Sequence, residues 1–257
     1  ELEAWAEALG YPLREVIMLN CSYEMSHVGG GVLGCTAGVR WVPGLGMVHL
    51  RNMDWPLKNI GAATRVFEFH HGERVFYAVG ISGFVGVLSG MLPGGYSVTI
   101  NWAPPVDRPR FDFGPAFLLR AVFEECDTYE EAVQVLRDTP LASPVFFTVC
   151  GVKKGQACVI ERTRGDAVVR KFKAPVLAQG NHHVARKFRS HNWDEELVED
   201  SQGRVACMEE ELGRRSRGSL DELAACLDVE PVLNEESYQQ MAFCPRTGEM
   251  KVWRWVR

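Results

Sequence analysis

Apolar positions Leu2, Trp5, Ala6 and Leu9 recur at helical spacing and stop at Gly10, after which Pro12 fits the first turn of a second helix running to about Cys21. The run Gly29-Gly30-Gly31 offers no side chains to pack and leads into Val32-Leu33-Gly34-Cys35, so a flexible, cleavable junction is expected there. From Cys35 onward the pattern predicts strands: 35–41 and 47–54 around a Pro43-Gly44-Leu45-Gly46 turn, then 65–70, 74–80, 84–88 and 96–101. Helical spacing returns over 114–125, where Phe117, Leu118, Ala121 and Val122 recur, and over 129–137, where Tyr129, Ala132, Val133 and Leu136 share a face. Strands are expected again at 145–150, 157–162, 167–172 and 176–179, helices at 203–212 and 219–227, and closing strands at 239–244 and 249–256. Two blocks of strands bracketing helices predict an α+β layered fold with no repeat and no linker after Cys35. Residues 1–34 thus form a short helical segment, and 35–257 the main domain.

Composition narrows the classes. At 257 residues, 46% of them hydrophobic and 24% charged, the chain fits one large domain or at most two small ones. The formal net charge is -5 and the basic residues are scattered, so no nucleic-acid partner is expected. No stretch approaches eighteen apolar residues, and Glu1-Leu2-Glu3-Ala4-Trp5 lacks the start of a signal peptide. A soluble chain is expected, with a cytoplasmic address favoured, although an opening on Glu rather than Met leaves the compartment open. Eight dispersed cysteines without a C-x-x-C pair read mostly as reduced, buried thiols rather than staples or a zinc site.

Chemistry concentrates at Cys35. A hairpin centred between Gly44 and Leu45 sets Cys35 opposite Asp54, where a carboxylate would hold and tune the α-amine of a cysteine that becomes N-terminal. Such an amine titrates near ~7.7 to 8.0 and a thiol near ~8.5, so one can deprotonate the other near neutrality without a histidine. Arg51 lies three residues before Asp54, and a strict pleat sends the two to opposite faces. A bulge, or the end of pairing before Trp55-Pro56, would bring both toward Cys35. The same residues also read as a buried small hydrophobe and a surface ion pair near a turn. Spacing alone does not choose between these.

The runs Gly34-Cys35-Thr36-Ala37 and Leu50-Arg51-Asn52-Met53-Asp54 resemble the acid ceramidase and N-acylethanolamine acid amidase branch of the choloylglycine hydrolase superfamily. Leu19-Asn20-Cys21-Ser22-Tyr23-Glu24, the segment 83–90, Ser97-Val98-Thr99-Ile100-Asn101, Thr128-Tyr129-Glu130-Glu131-Ala132 and Pro231-Val232-Leu233-Asn234 extend the likeness along nearly the whole chain. The resemblance implies a four-layer αββα N-terminal nucleophile hydrolase sandwich of mostly antiparallel sheets, cut before Cys35, with residues 1–34 as a retained short subunit. It implies Cys35 as nucleophile, Asp54 orienting the α-amine and Arg51 beside the thiolate. It further implies Asn181 as oxyanion donor, Asn101 as a second donor, and Arg204 bracing Asp54 or the oxyanion side. Each has a bland rival: Asn101 opening a turn before Pro104, Asn181 ending a strand, Arg204 pairing with Glu199 or Asp200 on a solvated helix face.

The family's short subunit is usually much longer than 34 residues, and its lysosomal members carry disulfides without clear equivalents here. The implied reaction is hydrolysis of a linear N-acyl amide without cofactor or metal, on a fatty-acyl substrate of the ceramide or N-acylethanolamine type. Residues flanking the cut, the Phe84–Met91 loop and Trp102 would line an acyl channel, and transient contact with a membrane surface would give access to lipid. The rival functions are a bile-salt or penicillin V type acylase or acyltransferase, a non-catalytic lipid-binding homologue, and an internal Cys-His hydrolase using His182 or His183. The pairs His70-His71 and His182-His183 are neighbours pointing apart, so joint metal ligation is not expected.

Overall fold

A computed structural model of the chain describes residues 1–29, 34–105, 112–173, 175–192 and 194–256. Three short helices, α1 (Leu2–Leu9), α2 (Leu13–Asn20) and α3 (Ser22–Gly29), precede the strands β1 (Gly34–Val42) and β2 (Gly46–Asp54). The glycine-rich junction expectation falls largely on residues 30–33, which lie outside the described residues. The chain continues through β3 (Thr64–His71), β4 (Arg74–Ile81), β5 (Ser89–Leu92) and β6 (Tyr96–Trp102) to helices α4 (Pro115–Glu125) and α5 (Tyr129–Asp138). Strands β7 (Val145–Gly151), β8 (Ala157–Arg162), β9 (Ala167–Lys171) and β10 (Val176–Gln179) follow. Helices α6 (Glu195–Arg214) and α7 (Leu220–Ala224) and strands β11 (Ser237–Cys244) and β12 (Glu249–Arg254) complete it.

Two antiparallel sheets stack face to face, one in the order β10-β1-β2-β11-β12 and one in the order β3-β4-β5-β6-β7-β8-β9. Alternation along the central hairpin explains the stacking. Val39 and Met47 face the second sheet and pack with Cys150 and Ala157. Val42, Val48 and Leu50 face the other way, against Met208 and Leu212 of α6 and Leu220 and Leu223 of α7. With both faces covered, every residue of β2 is buried. The outer face of the seven-stranded sheet is closed by α4 and α5; Phe123 of α4 stacks on Phe76 and Tyr96 at centroid distances of 5.3 and 5.4 Å. The four-layer αββα order expected from the resemblance is the order observed.

Three local expectations change. The stretch 84–88 is not a strand; β5 begins at Ser89, because Asn20 of α2 takes the backbone groups a neighbouring strand would use. Its Nδ2 donates to the Gly83 carbonyl at 2.8 Å and its Oδ1 accepts from the Val85 N–H at 2.7 Å. The helix expected from 203 begins at Glu195, capped by the Asp194 side chain, which accepts from the Leu197 N–H. The closing strand stops at Arg254. All eight cysteines are free thiols, and all but Cys21 and Cys207 are buried. No helix among the described residues is long and apolar enough to cross a membrane.

Candidate active site

Strand register decides which side chains meet Cys35. The loop between β1 and β2 holds three residues and is centred on Gly44, so Val42 pairs with Gly46, Cys35 with Met53 and Gly34 with Asp54. The expected pairing of Cys35 with Asp54 is therefore corrected by one residue. A hairpin pairing offset by one would carry Val48 and Leu50 off the face that α6 and α7 cover, which penalises the alternative. Arg51, paired with Ala37, lands on the Cys35 face without a bulge, and Asp54 on the opposite face beside the Gly34 backbone. A β-carbon built on Gly34 would stand 2.9 Å from Asp54 Cβ and 3.0 Å from Asp54 Oδ2. The irregularity in this region is on β11, between Ser237 and Gln239.

Arg51 reaches across the sandwich. Its Nη2 donates to Cys35 Sγ at 3.2 Å and its Nη1 to the Leu88 carbonyl at 3.0 Å, with close bonds to Ser89 Oγ and the Ile100 carbonyl of the second sheet. Two residues earlier, buried His49 bridges Ser97 and Thr99 at 3.0 Å each; burial, then the nearby Arg51 charge, lowers its pKa to about 3, so it stays neutral. Cys35 itself is 1% exposed and shares an apolar cluster with Tyr23 of α3, Met53, Phe84 and Tyr238. The Tyr238 hydroxyl donates to Met53 Sδ at 3.1 Å.

The backbone of Cys35 is gripped from two directions. Its N–H donates to Asn181 Oδ1 at 2.9 Å. Its carbonyl accepts from Arg204 Nη1 at 2.7 Å and from Asn101 Nδ2 at 3.2 Å. Arg204 also donates to Thr36 Oγ1 and Asn181 Oδ1 at 2.9 and 3.0 Å, while its Nε bonds Asp200. Arg204 thus both reaches the Cys35 backbone and makes the helix-surface ion pair expected of it in the simpler reading; its hydrogen bonds go to Cys35, Thr36 and Asn181 rather than to Asp54. Asn181 Nδ2 donates to the Trp102 carbonyl at 2.9 Å, and its N–H to Ser201 Oγ at 2.6 Å. Gly180 allows this approach, because a β-carbon there would collide with Ser201 Oγ.

Asp54 Oδ1 accepts from Ser237 Oγ at 2.7 Å and from Asn52 Nδ2. Burial, the largest influence, raises its pKa, against the hydrogen bond from Ser237 and the charge of Arg204. All six residues singled out in the sequence, Cys35, Arg51, Asp54, Asn101, Asn181 and Arg204, converge here. Thr36, Ser201 and Ser237 join them; their signal in the sequence is a polar residue at a position whose neighbours in the pattern are buried. The histidines do not join. His182 Nδ1 bonds Ser201 at 2.8 Å, with burial lowering its pKa to about 4, and His183 Nδ1 faces Glu161 at 3.4 Å. Phe84, Leu88, Met91 and Trp102 are packed as core rather than lining an open channel. A cavity of about 460 Å³ lies instead beyond the end of β2, between Trp55, Ile60 and Tyr238.

Relatives share this architecture. Acid ceramidase of Heterocephalus glaber is 28% identical over 201 residues, covering 65% of this chain and 48% of that protein. The N-acylethanolamine-hydrolyzing acid amidase of Caenorhabditis elegans is 29% identical over 236 residues, covering 84% and 64%. The chain therefore spans between about half and two thirds of the length of these relatives. The solved Caenorhabditis elegans N-acylethanolamine-hydrolyzing acid amidase ortholog superposes with a TM-score of 0.69 at 21% identity, covering 86% of this chain and all of that one. These matches bear out the branch recognised in the sequence. Residues 42–227, most of the chain, match the profile of one family, and the protein belongs to the acyl-coenzyme A:6-aminopenicillanic acid acyl-transferase family.

Proposed function

We propose that the protein is a self-processing cysteine amide hydrolase of linear N-acyl substrates, with fatty-acyl amides of the ceramide or N-acylethanolamine type as its substrate class. The observation that carries this reading is Cys35 Sγ at 3.2 Å from the buried Arg51 guanidinium, with the Cys35 N–H and carbonyl both held by side chains. A cation fixed there can hold negative charge as it develops on sulfur or on the acyl oxygen during reaction. In the first step Cys35 Sγ attacks the Gly34 carbonyl carbon. The C–N bond breaks, the thiol proton passes to the departing nitrogen, and water hydrolyses the thioester, leaving a Gly34 carboxyl and a free Cys35 α-amine. The α-amine then serves as base.

In turnover the α-amine takes the thiol proton and the thiolate adds to the acyl carbonyl. The oxyanion is held by Asn181, with Asn101 beside it. Collapse breaks the amide C–N bond, the α-ammonium proton leaves with the amine, and water releases the acid. Asp54, near the Gly34 side of the cut, orients the α-amine, and Arg204 holds the Cys35 carbonyl. The apolar cluster around Cys35 and the named relatives favour a long acyl chain. Residues 1–34 remain bound after the cut, a reading supported by Tyr23 in that cluster and by the two backbone bonds of Asn20. Exposed Tyr11, Ile17 and Met18 suit transient contact with a lipid surface.

The test is intact mass after incubation from mildly acidic to neutral pH, with Cys35→Ala as control, followed by an acyl-amide screen. Two fragments split before Cys35, absent from the control, are expected, with release of fatty acid from an N-acylethanolamine or ceramide. A chain that stays whole and leaves every acyl amide untouched would overturn the reading. The family match favours a second outcome of the same acyl-enzyme, transfer to an added amine, visible as a new amide product.

A further inference from the structure

Glu161, on β8, is a carboxylate with no exposure to water. Burying such a charge costs several kcal/mol unless donors surround it. They do. Glu161 Oε1 accepts from Arg170 Nε at 2.6 Å; the Ala185 N–H donates at 3.0 and 3.1 Å to its two oxygens, the Val184 N–H at 3.2 Å, and His183 Nδ1 lies at 3.4 Å. Nothing in the reaction described above uses this group.

Its partners lie on both sides of Asn181. On the C-terminal side Glu161 fixes the main chain at 184 and 185 directly. On the N-terminal side it holds Arg170, whose Nη2 bonds Gln179 Oε1, and Gln179 Nε2 in turn donates to the His182 carbonyl at 2.9 Å. The segment 179–185 leaves the five-stranded sheet at the end of β10 and is thereby fastened to the seven-stranded sheet, with Asn181 between the two anchors facing the Cys35 N–H.

We infer that Glu161 is a positioning residue: it tethers the 179–185 segment from both flanks and so sets the placement of Asn181 against Cys35. The inference rests on the reading of Asn181 as part of the reacting site. A displacement of about 1 Å in such a group is enough to cost on the order of 10²-fold in rate. Glu161→Gln keeps the shape but removes the charge and turns an N–H₂ toward backbone N–H groups, so the tether loosens without emptying the core.

The experiment compares the full-length wild type with Glu161→Gln for self-cleavage, for kcat and KM on an N-acylethanolamine, and for amide hydrogen exchange of 179–185, the last also in a Cys35→Ala background. The variant is expected to stay folded, to lose protection at 184 and 185, and to cut and turn over between about 10-fold and 10²-fold more slowly with KM within twofold. A folded variant that reacts at the wild-type rate would overturn the proposal, as would one whose loss lies only in KM or whose segment keeps its protection. If Glu161→Gln does not fold, Arg170→Met severs the N-terminal arm alone and is expected to give a smaller kcat loss of the same kind; wild-type kcat there would equally overturn it. Failure of the wild type itself to cut or hydrolyse would sink the hydrolase reading instead, and exchange in the Cys35→Ala background would still decide whether Glu161 tethers the segment.

Discussion

At Gly34 the absence of a side chain is a requirement of contact, since Asp54 occupies the space where a β-carbon would go. Gly34→Ala is expected to push Asp54 aside and slow cleavage before Cys35, read as the half-time of fragment appearance by mass. Asp54 also makes a prediction about pH. Its folded-state pKa is raised by burial, so its contribution to stability is full below the unfolded carboxylate range and is lost as pH rises through the folded value. Asp54→Asn is therefore expected to raise Tm relative to wild type at pH 7 and to change it little at pH 3, while removing the carboxylate proposed to orient the α-amine. Arg51→Lys is expected to keep a charge but lose the several-point grip on Leu88, Ser89 and Ile100, with kcat falling on the order of 10²-fold. A wild-type kcat in that variant would show that the planar guanidinium is dispensable.

Among the elements, α6 shows how far a sequence can be read. Its buried face is Ser201, Arg204, Met208 and Leu212, so half of the stripe is polar where it approaches Cys35. The apolar spacing that announces a helix begins only at its second half, which is why residues 195–202 do not look helical although Asp194 caps them. The alternation of β1 and β2 and the stripes of α4 and α5 are legible because packing alone dictates them. The identities of Asn101, Asn181 and Arg204 as neighbours are not, because three separate elements bring them together; their link to Cys35 in the sequence comes through family resemblance. The hairpin register escapes because a loop centre one half-residue away satisfies the same turn residues. Helix α3 carries a second pH effect. Burial raises the pKa of Glu24 to about 7, so its share of the docking of α3 is present in acid and lost as pH rises through 7. Glu24→Gln is expected to match wild type in Tm at pH 4.5 and to exceed it at pH 8.

For the whole molecule, the first three helices are tied to the main domain by side chains rather than by sheet pairing. Once cut before Cys35 as proposed, the two pieces are expected to elute together in size exclusion and to separate only in denaturant. Elution of residues 35–257 alone, still active, would show that the helical segment is dispensable.

The reach of Arg51 has a consequence for the newly made chain. The guanidinium is carried by one sheet and fastened to the other, so it stands beside Cys35 Sγ only when the sandwich has closed. A half-assembled chain on its way to the native state holds the Cys35 sulfur without that neighbour. The pairing of sulfur and cation is a property of completed assembly, made by the same event that walls the thiol off from water.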